Sequence, residues 1–579
     1  MPLPTRRPGR AGTAADQGLP RSHRSTFDRF MEFIRFLRRE SGAYGTRIAV
    51  VTAAGGVVNG LMVMIILAAA SGTTREDESL QHLVMFTLAL CALLLAKRYS
   101  LNHTARLTEE IVERLRVRIS DKIRRAELLY FEKIGQSQFM TVLSTETQLI
   151  STTASMVISA SASAVMLLVS FAFVAYLSLA AFILALITIG GAVFVYRATL
   201  ALVNRQLHET VRMENAFFDL LHHLLAGFKE VKIDAARNRD LFENHLALRS
   251  RDVREIKIKT NEQFVNKTVI SHSAFFLLLA TIIFLLPRLS ACEPSVIVKV
   301  TAVMLFVFGP LAEVVGVIPY VVRAGVSIET IEQMERSLDA EVGRYPAANL
   351  AVLPAPQSFQ ALTLEGLVFS YPNPDGTLGY TIGPLDTTIH AGEILFIMGG
   401  NGSGKSTLLK VLTGLYHPRA GRLLVDGKPL LATQYHRYRN MFSVVFTDYH
   451  LFDRLYGLPP PDEARIAQLL EDMGLSEKTQ FVDGRFTNLS LSSGQSKRLA
   501  LVAALLEDKN VLVFDEWAAE QDPEFRRHFY ESILPNLKKQ GKTIIAATHD
   551  DRYFHVADRV FKMEWGRFVP SGLDKPGTN

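Results

Sequence analysis

The feature that most constrains this chain is a set of long apolar stretches, nearly all of which lie before about residue 325. No Asp, Glu, Lys or Arg occurs from Thr147 to Tyr196, and Ile48–Ala70 contains none either. As a helix, Ile48–Ala70 would span roughly 34 Å, which is enough to cross the hydrocarbon core of a bilayer. Buried core helices are usually shorter and amphipathic. These stretches therefore predict membrane-spanning helices.

The uncharged stretch from Thr147 to Tyr196 has 50 residues, too many for one crossing, so we divide it at a tight turn near Ser178. Together with the other apolar runs, it predicts six crossings within a transmembrane domain at 31–340. Their approximate bounds are 48–70, 80–100, 153–176, 179–197, 268–287 and 296–322.

The distribution of positive charge predicts the orientation of the crossings. Ten Lys or Arg residues lie in Lys97–Lys133 and twelve in Arg197–Lys259, whereas the three loops on the opposite side carry only Arg75 and Arg288. Loops rich in Lys and Arg stay in the cytoplasm. We therefore expect both termini there. Residues 1–30 would form a poorly ordered tail that is neither a cleaved signal peptide nor a twin-arginine signal.

Composition excludes several classes of protein. Hydrophobic residues make up 48% of the chain and charged residues 21%, yet the mean hydropathy is positive at +0.17, which indicates an apolar part and a soluble part in one chain. A disordered or collagen-like chain is excluded, and two cysteines cannot form a disulfide framework. A net charge of +6 is small for 579 residues, so we expect no nucleic-acid partner.

The two long cytoplasmic loops have the pattern of helices. In 101–129, apolar residues recur at helical spacing among Arg and Glu, and 205–264 is similar. The economical interpretation is that the crossings continue beyond the bilayer as stalks. An uncharged run with two prolines, 347–357, marks a linker that we place at 341–357. In the domain that follows, 358–579, short β-rich runs alternate with helical patterns, as in α/β domains.

The strand-like run Ile394–Met398 leads directly into a glycine-rich loop and then into a helical segment. The loop reads Gly399-Gly400-Asn401-Gly402-Ser403-Gly404-Lys405-Ser406-Thr407. This is a phosphate-binding loop in its strand–loop–helix context, because glycines let backbone N–H groups surround phosphate oxygens at a helix N-terminus. Lys405 would lie between the β- and γ-phosphates, and the Ser406 hydroxyl would bind Mg²⁺.

Two further apolar runs end in polar residues that suit the same chemistry. Val511–Phe514 is followed by Asp515 and Glu516, and Thr543–Ala547 is followed closely by His549. We expect Asp515 to hold Mg²⁺, directly or through water, and Glu516 to polarise the attacking water. A single histidine is more often structural than catalytic. At this strand end we favour His549 as a contact to the γ-phosphate.

With Leu491-Ser492-Ser493-Gly494-Gln495 lying before Val511–Phe514, the sequence resembles the ATP-binding cassette family over its whole length, as a half-size exporter. The resemblance implies an α-helical six-crossing transmembrane domain with long cytoplasmic stalks, followed by an α/β P-loop nucleotide-binding domain. It also implies Mg²⁺-dependent ATP hydrolysis coupled to export. A dimer is required, because each ATP site needs a phosphate loop from one chain and a signature from another. A homodimer in a bacterial inner membrane is the simplest case, and a heterodimer stays open.

The resemblance assigns roles to individual residues. Tyr371 would stack on adenine, and Ser492–Gln495 would close over the ATP held by the other cassette. Ala519–Asp522 would contact that partner, and His549 would be the switch histidine beside the catalytic Glu516. The metal would lie at Ser406 and Asp515. The residues expected to bind ATP are Tyr371, Gly399, Gly400, Asn401, Gly402, Ser403, Gly404, Lys405, Ser406, Thr407, Thr447, Ser492, Ser493, Gly494 and Gln495.

Three positions depart from the pattern of the family. Thr447 stands where a glutamine usually binds metal and water, and its side chain is two carbons shorter. The signature has Ser493 where glycine is usual, and the partner loop reads Ala519-Glu520-Gln521-Asp522 in place of Ser-Ala-Leu-Asp. Because Glu516 and His549 are present, hydrolysis is expected, and the departures bear on coupling.

Within the family, Asp515-Glu516-Trp517-Ala518-Ala519-Glu520-Gln521-Asp522-Pro523 is similar to bacterial cyclic-peptide exporters, a subfamily that includes siderophore-precursor and lipopeptide exporters. This implies a peptide cargo. A lipid or lipid-linked sugar is the alternative cargo, and an ATP-gated channel or a regulator is the alternative class. Glu313, in the sixth crossing, should face protein or a wet cavity, because a carboxylate in the bilayer costs about 2.5–3.5 kcal/mol. It would line the cargo pathway or bind a neighbouring helix.

Overall fold

The computed structural model describes residues 26–71, 76–289, 293–344, 359–373, 377–459 and 462–570. The chain separates into two compact units. The first contains the residues up to Arg118 and Met140–Gln333, and the second contains Ile119–Phe139 and the chain from Met334 onward. The tip of the first long loop therefore belongs to the same unit as the C-terminal domain.

Most of the predicted tail and linker lies outside the described residues, and the described ends of both are helical. Residues 26–30 open the first helix, in which Phe33 and Phe36 are buried, so the helix begins before the predicted domain boundary. Residues 341–344 complete the helix that ends at Arg344, which contains Leu338 in a buried position. The predicted boundaries of the tail and of the linker stay predictions.

Helices form the first unit and the beginning of the second. Their bounds are α1 Thr26–Ser71, α2 Glu76–Arg125, α3 Leu128–Ile134, α4 Gln136–Thr141, α5 Thr147–Leu177, α6 Leu179–Ala226, α7 Phe228–Ile233, α8 Ala235–Arg239, α9 Ala247–Ala280, α10 Leu286–Leu289, α11 Pro294–Gly316 and α12 Ile318–Arg344. Short π-helical turns join some of them at Val142–Glu146, Asp240–Leu246 and Thr281–Leu285.

Five helical segments of the described chain are long and apolar enough to cross a membrane. They are Tyr44–Ala70, Ser79–Arg125, Gln138–Leu177, His272–Leu289 and Pro294–Glu341. The predicted fourth crossing, 179–197, falls in α6, whose apolar part Leu179–Gly191 is shorter than the other five. The count of six crossings stays a prediction. Between α5 and α6, Ser178 is extended, and its Oγ accepts a hydrogen bond from the N–H of Ala181 at 3.3 Å. This residue makes the turn in the long uncharged stretch.

The C-terminal domain is built of strands and shorter helices. Its strands are β1 Ala361–Pro372, β2 Leu378–His390, β3 Ile394–Met398, β4 Ala420–Val425, β5 Lys428–Pro429, β6 Phe442–Val445, β7 Phe481–Val482, β8 Arg485–Phe486, β9 Val511–Asp515, β10 Thr543–Ala547, β11 Arg559–Glu564 and β12 Arg567–Val569. Its helices are α13 Lys405–Leu412, α14 Tyr435–Arg439, α15 Glu463–Asp472, α16 Ser493–Leu506, α17 Pro523–His528 and α18 Leu534–Lys539.

Two larger sheets organise this domain. One has six strands in the order β12-β11-β3-β10-β9-β6, and the other has four in the order β2-β1-β4-β5. All five residues of β9 and of β10 are buried, as expected for central strands of a sheet covered on both faces. One apolar core includes residues of α16, and another includes residues of α13. The six-stranded sheet positions the site described next.

Candidate functional site

Four parallel strands bring the predicted catalytic residues to one edge of the six-stranded sheet. β3, β10, β9 and β6 are consecutive neighbours, and each of the three pairings is parallel. The glycine-rich loop follows β3, and His549 comes shortly after β10. Asp515 ends β9 and is followed by Glu516, while Thr447 follows β6. Because the carboxyl ends of parallel strands meet at one edge, residues far apart in sequence become neighbours here.

The glycine-rich loop ends where α13 begins, at Lys405. Gly404 precedes it with φ +104°, and a Cβ at Gly404 would lie 2.8 Å from Cγ2 of Ile382, so both the backbone and the packing require glycine. The first N–H groups of a helix have no partner within the helix. Together with the buried ammonium of Lys405, they make a donor set that fits phosphate oxygens. The residues present therefore fit a nucleotide phosphate chain.

Lys405, Glu516 and His549 form a compact triangle at this edge. Nζ of Lys405 lies 3.2 Å from Oε1 of Glu516 and 3.2 Å from Nε2 of His549. Nε2 of His549 is 2.8 Å from the same Glu516 oxygen. Lys405 also donates to the carbonyl of Gly399 at 2.8 Å. The structure thus brings together the predicted phosphate lysine, carboxylate base and histidine, which are separated by up to 144 positions.

The electrostatics of the triangle keep Glu516 ionised. Burial opposes ionisation of this carboxyl, but hydrogen bonds and charge from Lys405 and then His549 outweigh burial and hold its pKa below the ordinary value. A carboxylate must be ionised before it can accept a proton from water. Glu516 is therefore ionised at neutral pH, as a general base must be, although the lowered pKa also makes it a weaker base.

Asp515 and Ser406 provide oxygen ligands of the kind that Mg²⁺ prefers. The Ser406 hydroxyl donates to Oδ1 of Asp515 at 3.1 Å, and Asp515 is buried. Burial raises the pKa of Asp515 above its ordinary value, although hydrogen bonds from Ser406 and Thr447 oppose this. A bound cation would favour the ionised carboxylate. The hydroxyl and carboxylate therefore fit a divalent metal ion.

Thr447 and Tyr371 contact different parts of the site. The Thr447 hydroxyl donates to the main-chain carbonyl of Asp515 at 3.1 Å, so this residue contacts the backbone that carries the acidic pair. Oη of Tyr371 lies 3.2 Å from Oγ1 of Thr407, at the end of the glycine-rich loop. The Tyr371 ring meets the ring of Tyr416 edge to face, with centroids 5.7 Å apart. Its stacking on adenine stays a prediction.

The signature residues form the N-terminus of α16 and contact the following loop of the same chain. Ser492 caps the helix: its Oγ accepts from the N–H of Gln495 at 3.4 Å, and Oε1 of Gln495 accepts from the N–H of Ser492 at 3.1 Å. Nε2 of Gln521 donates to the carbonyl of Gly494 at 3.0 Å. The structure therefore joins two of the predicted partner-facing segments, the signature and Ala519–Asp522.

Sequence reasoning missed the contacts of two glutamates at α3, the short helix at the tip of the first long loop. Glu127 directly precedes α3 and Glu132 lies within it. Glu132 accepts from Oη of Tyr416 at 2.5 Å and from Nζ of Lys410 at 3.1 Å. Glu127 accepts from Arg439 at 2.6 Å. Two glutamates around an apolar run are visible in the sequence, but their partners lie more than 270 positions away. α3 thus contacts α13, which carries the phosphate lysine.

The comparisons with known proteins agree with this geometry. A family model described as ABC transporter matches residues 382–519. The ATP-binding protein SyrD of Pseudomonas syringae pv. syringae is 33% identical over 528 residues, which cover 89% of this chain and 92% of SyrD. An ATP-dependent lipid A-core flippase of Chromobacterium violaceum is 30% identical over 242 residues, 39% of this chain and 40% of the flippase.

A solved structure gives the same fold over almost the whole chain. The structure of a bacterial Atm1-family ABC exporter with ATP bound superposes with a TM-score of 0.73 and 18% identity, and covers 92% of this chain and 95% of that one. The predicted fold class, helical membrane domain and α/β ATP-binding domain, is confirmed. The chain belongs to the ABC transporter family, as an exporter-type half-transporter whose ATP-binding domain hydrolyses ATP to drive transport.

Proposed function

We propose that this half-transporter exports a peptide of the cyclic-peptide, lipopeptide or siderophore-precursor type across a bacterial inner membrane, as a homodimer. SyrD is similar over 89% of the chain, including the membrane domain. The lipid A-core flippases of Chromobacterium violaceum and Alkalilimnicola ehrlichii are similar over 39% and 52%. The resemblance of the run from Asp515 to Pro523 to cyclic-peptide exporters supports the same cargo class.

The observation that carries the cargo proposal is a carboxylate in a cavity of the membrane domain. The cavity has a volume of about 730 Å³ and is lined by residues of α1, α2, α5, α11 and α12. Glu313 lines it, and its two carboxylate oxygens accept hydrogen bonds from Ser159 at 2.6 Å and Ser163 at 2.5 Å. Lys97 also lines the cavity, so the cavity carries charge of both signs. We assign to the Glu313 carboxylate, which two hydroxyl groups hold in place, the contact with a cationic group of the cargo, as many peptides have and as lipid A lacks.

Within the ATP site, we assign a separate task to each predicted residue. Ser406 and Asp515 would hold Mg²⁺, which neutralises charge that develops on the phosphates. Glu516 would take a proton from water as the water oxygen bonds to the γ-phosphorus. The bond from that phosphorus to the β,γ-bridging oxygen breaks, and ADP and phosphate leave. His549 and Lys405 would orient the γ-phosphate.

The homodimer follows from the need for two complementary halves. Half-transporters of this kind generally act as dimers, and this chain carries both the glycine-rich loop and the signature at Ser492–Gln495. Two copies would therefore make two complete ATP sites. Closing and opening of the paired domains would then switch the cavity between inward- and outward-facing states.

The cargo class is tested by the ATPase of the full-length protein in nanodiscs. Three additions are compared: a synthetic cyclic peptide with one lysine, the same peptide with that lysine acetylated, and lipid A. We expect stimulation by the lysine peptide and weaker stimulation by the acetylated one. Stimulation by lipid A alone would overturn the peptide proposal and favour a flippase. Passive flux of peptide through a hydrolysis-deficient variant would favour a channel.

Glu313→Gln should weaken recognition of the cationic peptide, because the amide keeps the size and polarity of the side chain and removes its charge. A hydrogen bond to a charged group is worth about 1.5–3 kcal/mol, so the lysine peptide should be needed at about tenfold to hundredfold higher concentration for half-maximal stimulation. Transport of the peptide into proteoliposomes should fall with it. The acetylated peptide should stimulate the ATPase of the parent and of the variant equally.

The matched control for this prediction is Glu293→Gln, the same change at the residue before α11 and outside the residues that line the cavity. It should leave the concentration dependence unchanged. An unaltered response of Glu313→Gln to the lysine peptide would contradict a cargo contact. A variant that no longer assembles would show that the bonds to Ser159 and Ser163 are structural.

Thr447→Gln should alter coupling more than basal hydrolysis. The Thr447 hydroxyl donates a hydrogen bond to the carbonyl of Asp515, and a neutral hydrogen bond contributes about 0.5–1.5 kcal/mol, so basal ATPase should change by at most about tenfold. The next residue, Asp448, lies 4.0 Å from Lys410, which also binds Glu132 of α3. Stimulation by the lysine peptide should therefore change by a larger factor.

Both rates are measured in nanodiscs, and the control is Thr433→Gln, at an exposed threonine outside the site. A Thr447→Gln variant that matches the parent in basal and in stimulated ATPase would remove any special role for Thr447.

A further inference from the structure

A buried lysine behind the catalytic carboxylate has no role in the function described so far. Lys497, in the second turn of α16, is 2% exposed. Its Nζ donates to the main-chain carbonyl of Glu516 at 3.1 Å and lies 3.0 Å from Oε1 of Glu520. A buried ammonium needs compensating partners, because removing a charge from water is costly. This lysine has two, and both lie in the segment that follows β9.

The segment that Lys497 contacts has an uncommon backbone conformation at the catalytic position. Glu516 has φ +51° and ψ 37°, a left-handed conformation that residues with a Cβ rarely adopt. Its N–H donates to the carbonyl of Ala547 at 3.0 Å, and its own carbonyl receives the ammonium of Lys497. The N–H and the carbonyl of Glu516 are therefore both hydrogen-bonded. Because these bonds fix the main chain, they also fix the direction in which the Cβ of Glu516 leaves it.

A second hydrogen bond joins Lys497 to the segment after β9, with Lys497 as the acceptor. Nε1 of Trp517, the residue after Glu516, donates to the main-chain carbonyl of Lys497 at 2.8 Å. Trp517 is 1% exposed and stacks on Phe529, with ring centroids 4.2 Å apart. Lys497 thus donates to residue 516 with its side chain and accepts from residue 517 with its main chain. The turn that carries the carboxylate is fixed to α16 at both residues.

Two of the departures from the family pattern belong to this arrangement. Hydrogen bonds from Lys497 and then from the Ser493 hydroxyl hold the pKa of Glu520 below its ordinary value. Ser493 replaces the usual glycine of the signature, and Glu520 belongs to the altered partner loop. Ser493 and Glu520 are therefore hydrogen-bond partners of each other. A glycine at 493 or an alanine at 520 could not form this bond.

We infer that Lys497 is a positioning residue for ATP hydrolysis: it holds the main chain of Glu516 in its left-handed conformation, and Glu520 with Ser493 holds the Lys497 ammonium in place. The inference rests on the proposed role of Glu516 as the base. Since Lys497 touches neither the glycine-rich loop nor Tyr371, it should affect the hydrolytic step and not the binding of ATP. Lys497 also connects Glu516, the base of one ATP site, to the signature of the same chain, which would serve the second ATP site of the dimer.

The test measures kcat and KM for ATP with the full-length protein in nanodiscs. Lys497→Met keeps the length and removes the donor; misplacement of a reacting group by about 1 Å can cost about 10²-fold, so we expect kcat to fall about 10- to 100-fold. KM should stay within about twofold, which marks loss of an interaction that serves the hydrolytic step alone. Lys497→Gln, which retains a donor, should recover part of the rate. Glu520→Gln, at a half-exposed side chain, should lower kcat severalfold, again without a change in KM.

The decisive measurement repeats Lys497→Met in a Glu516→Gln background. If Lys497 acts through Glu516, it should lower the residual rate there by less than about twofold, because effects of residues that act as a unit are not additive. The matched control is Lys542→Met, which removes a lysine paired with Asp508 at 2.7 Å, away from the site, and should match the parent.

Three outcomes would overturn the inference. The first is that Lys497→Met and Glu520→Gln both have the kcat of the parent. The second is that Lys497→Met raises KM for ATP at unchanged kcat. The third is that Lys497→Met lowers the hydrolysis rate by the same factor in the parent and in the Glu516→Gln background. If Lys497→Met is not recovered in folded form, the same criteria apply to Lys497→Gln and Glu520→Gln. A fully active Glu516→Gln variant would instead overturn the role of Glu516, and the two failures are thereby distinguished.

Discussion

Glu516→Gln is expected to bind ATP and to hydrolyse it about 10²- to 10⁴-fold more slowly than the parent, the usual loss when a general base is removed. The amide oxygen can still accept hydrogen bonds from Lys405 and His549, which lie 3.2 and 2.8 Å from Oε1 of Glu516. The geometry of the triangle is therefore kept. What the amide lacks is the ability to take a proton from water, so ATP should remain bound and unhydrolysed, and two chains should stay associated.

The measurements are steady-state ATPase and retention of ATP by the purified protein. Glu524→Gln is the matched control, because Glu524 is an exposed glutamate in the first turn of α17, outside the triangle, and this variant should hydrolyse ATP like the parent. Turnover of Glu516→Gln within about threefold of the parent would mean that general-base help is absent and that the assignment of Glu516 is wrong.

Much of the ATP site could be predicted because its residues occur in short motifs at the ends of strands. A run such as Val511–Phe514 followed by two acids indicates a buried strand and its functional end without knowledge of the tertiary structure. Parallel pairing of β3, β10, β9 and β6 then brings Lys405, Glu516 and His549 together. The identity of these residues was visible locally, and their distances were fixed by the sheet.

The supporting contacts could not be predicted, because they depend on packing between distant segments. The sequence shows Lys497 as an ordinary lysine of an amphipathic helix, the type of position that usually faces water. Only the packing of α16 against the turn after β9 buries it beneath Glu516. The two glutamates at the start of α3 and within it are a similar case, since Glu127 and Glu132 contact Arg439 and Lys410 only in the folded domain.

The departures from the family pattern show a further limit of reasoning position by position. From the sequence, Ser493 and Glu520 were two independent changes that bear on coupling. In the structure they are connected to each other, because Glu520 accepts a hydrogen bond from the Ser493 hydroxyl and also lies 3.0 Å from Nζ of Lys497. Thr447, which stands where a glutamine usually binds metal and water, donates to the Asp515 carbonyl at 3.1 Å, and its role in the ATP site stays a prediction. Substitutions that look independent in the sequence can therefore be interpreted only together with the hydrogen bonds that join them in the structure.

Lys405→Ala should impair an earlier step than Glu516→Gln does. Loss of an ammonium that binds phosphate oxygens removes about 1.5–3 kcal/mol of binding, so ATP affinity should fall about tenfold to hundredfold. Loss of one preorganised donor to the reacting phosphate costs about 10²–10³-fold in kcat. Both affinity and turnover should therefore fall, whereas Glu516→Gln should lose turnover alone.

The substitution also changes the charge state of the base. Lys405 is the larger of the two influences that lower the pKa of Glu516, so that pKa should rise in Lys405→Ala. The residual ATPase should then increase with pH over a range where the parent rate is level, because a larger fraction of Glu516 becomes ionised. Nucleotide titration and a pH profile of ATPase measure both effects, with Lys428→Ala, at an exposed lysine of β5, as the control. ATP affinity and turnover equal to those of the parent would show that the glycine-rich loop does not bind phosphate, and the whole site would then need a different interpretation.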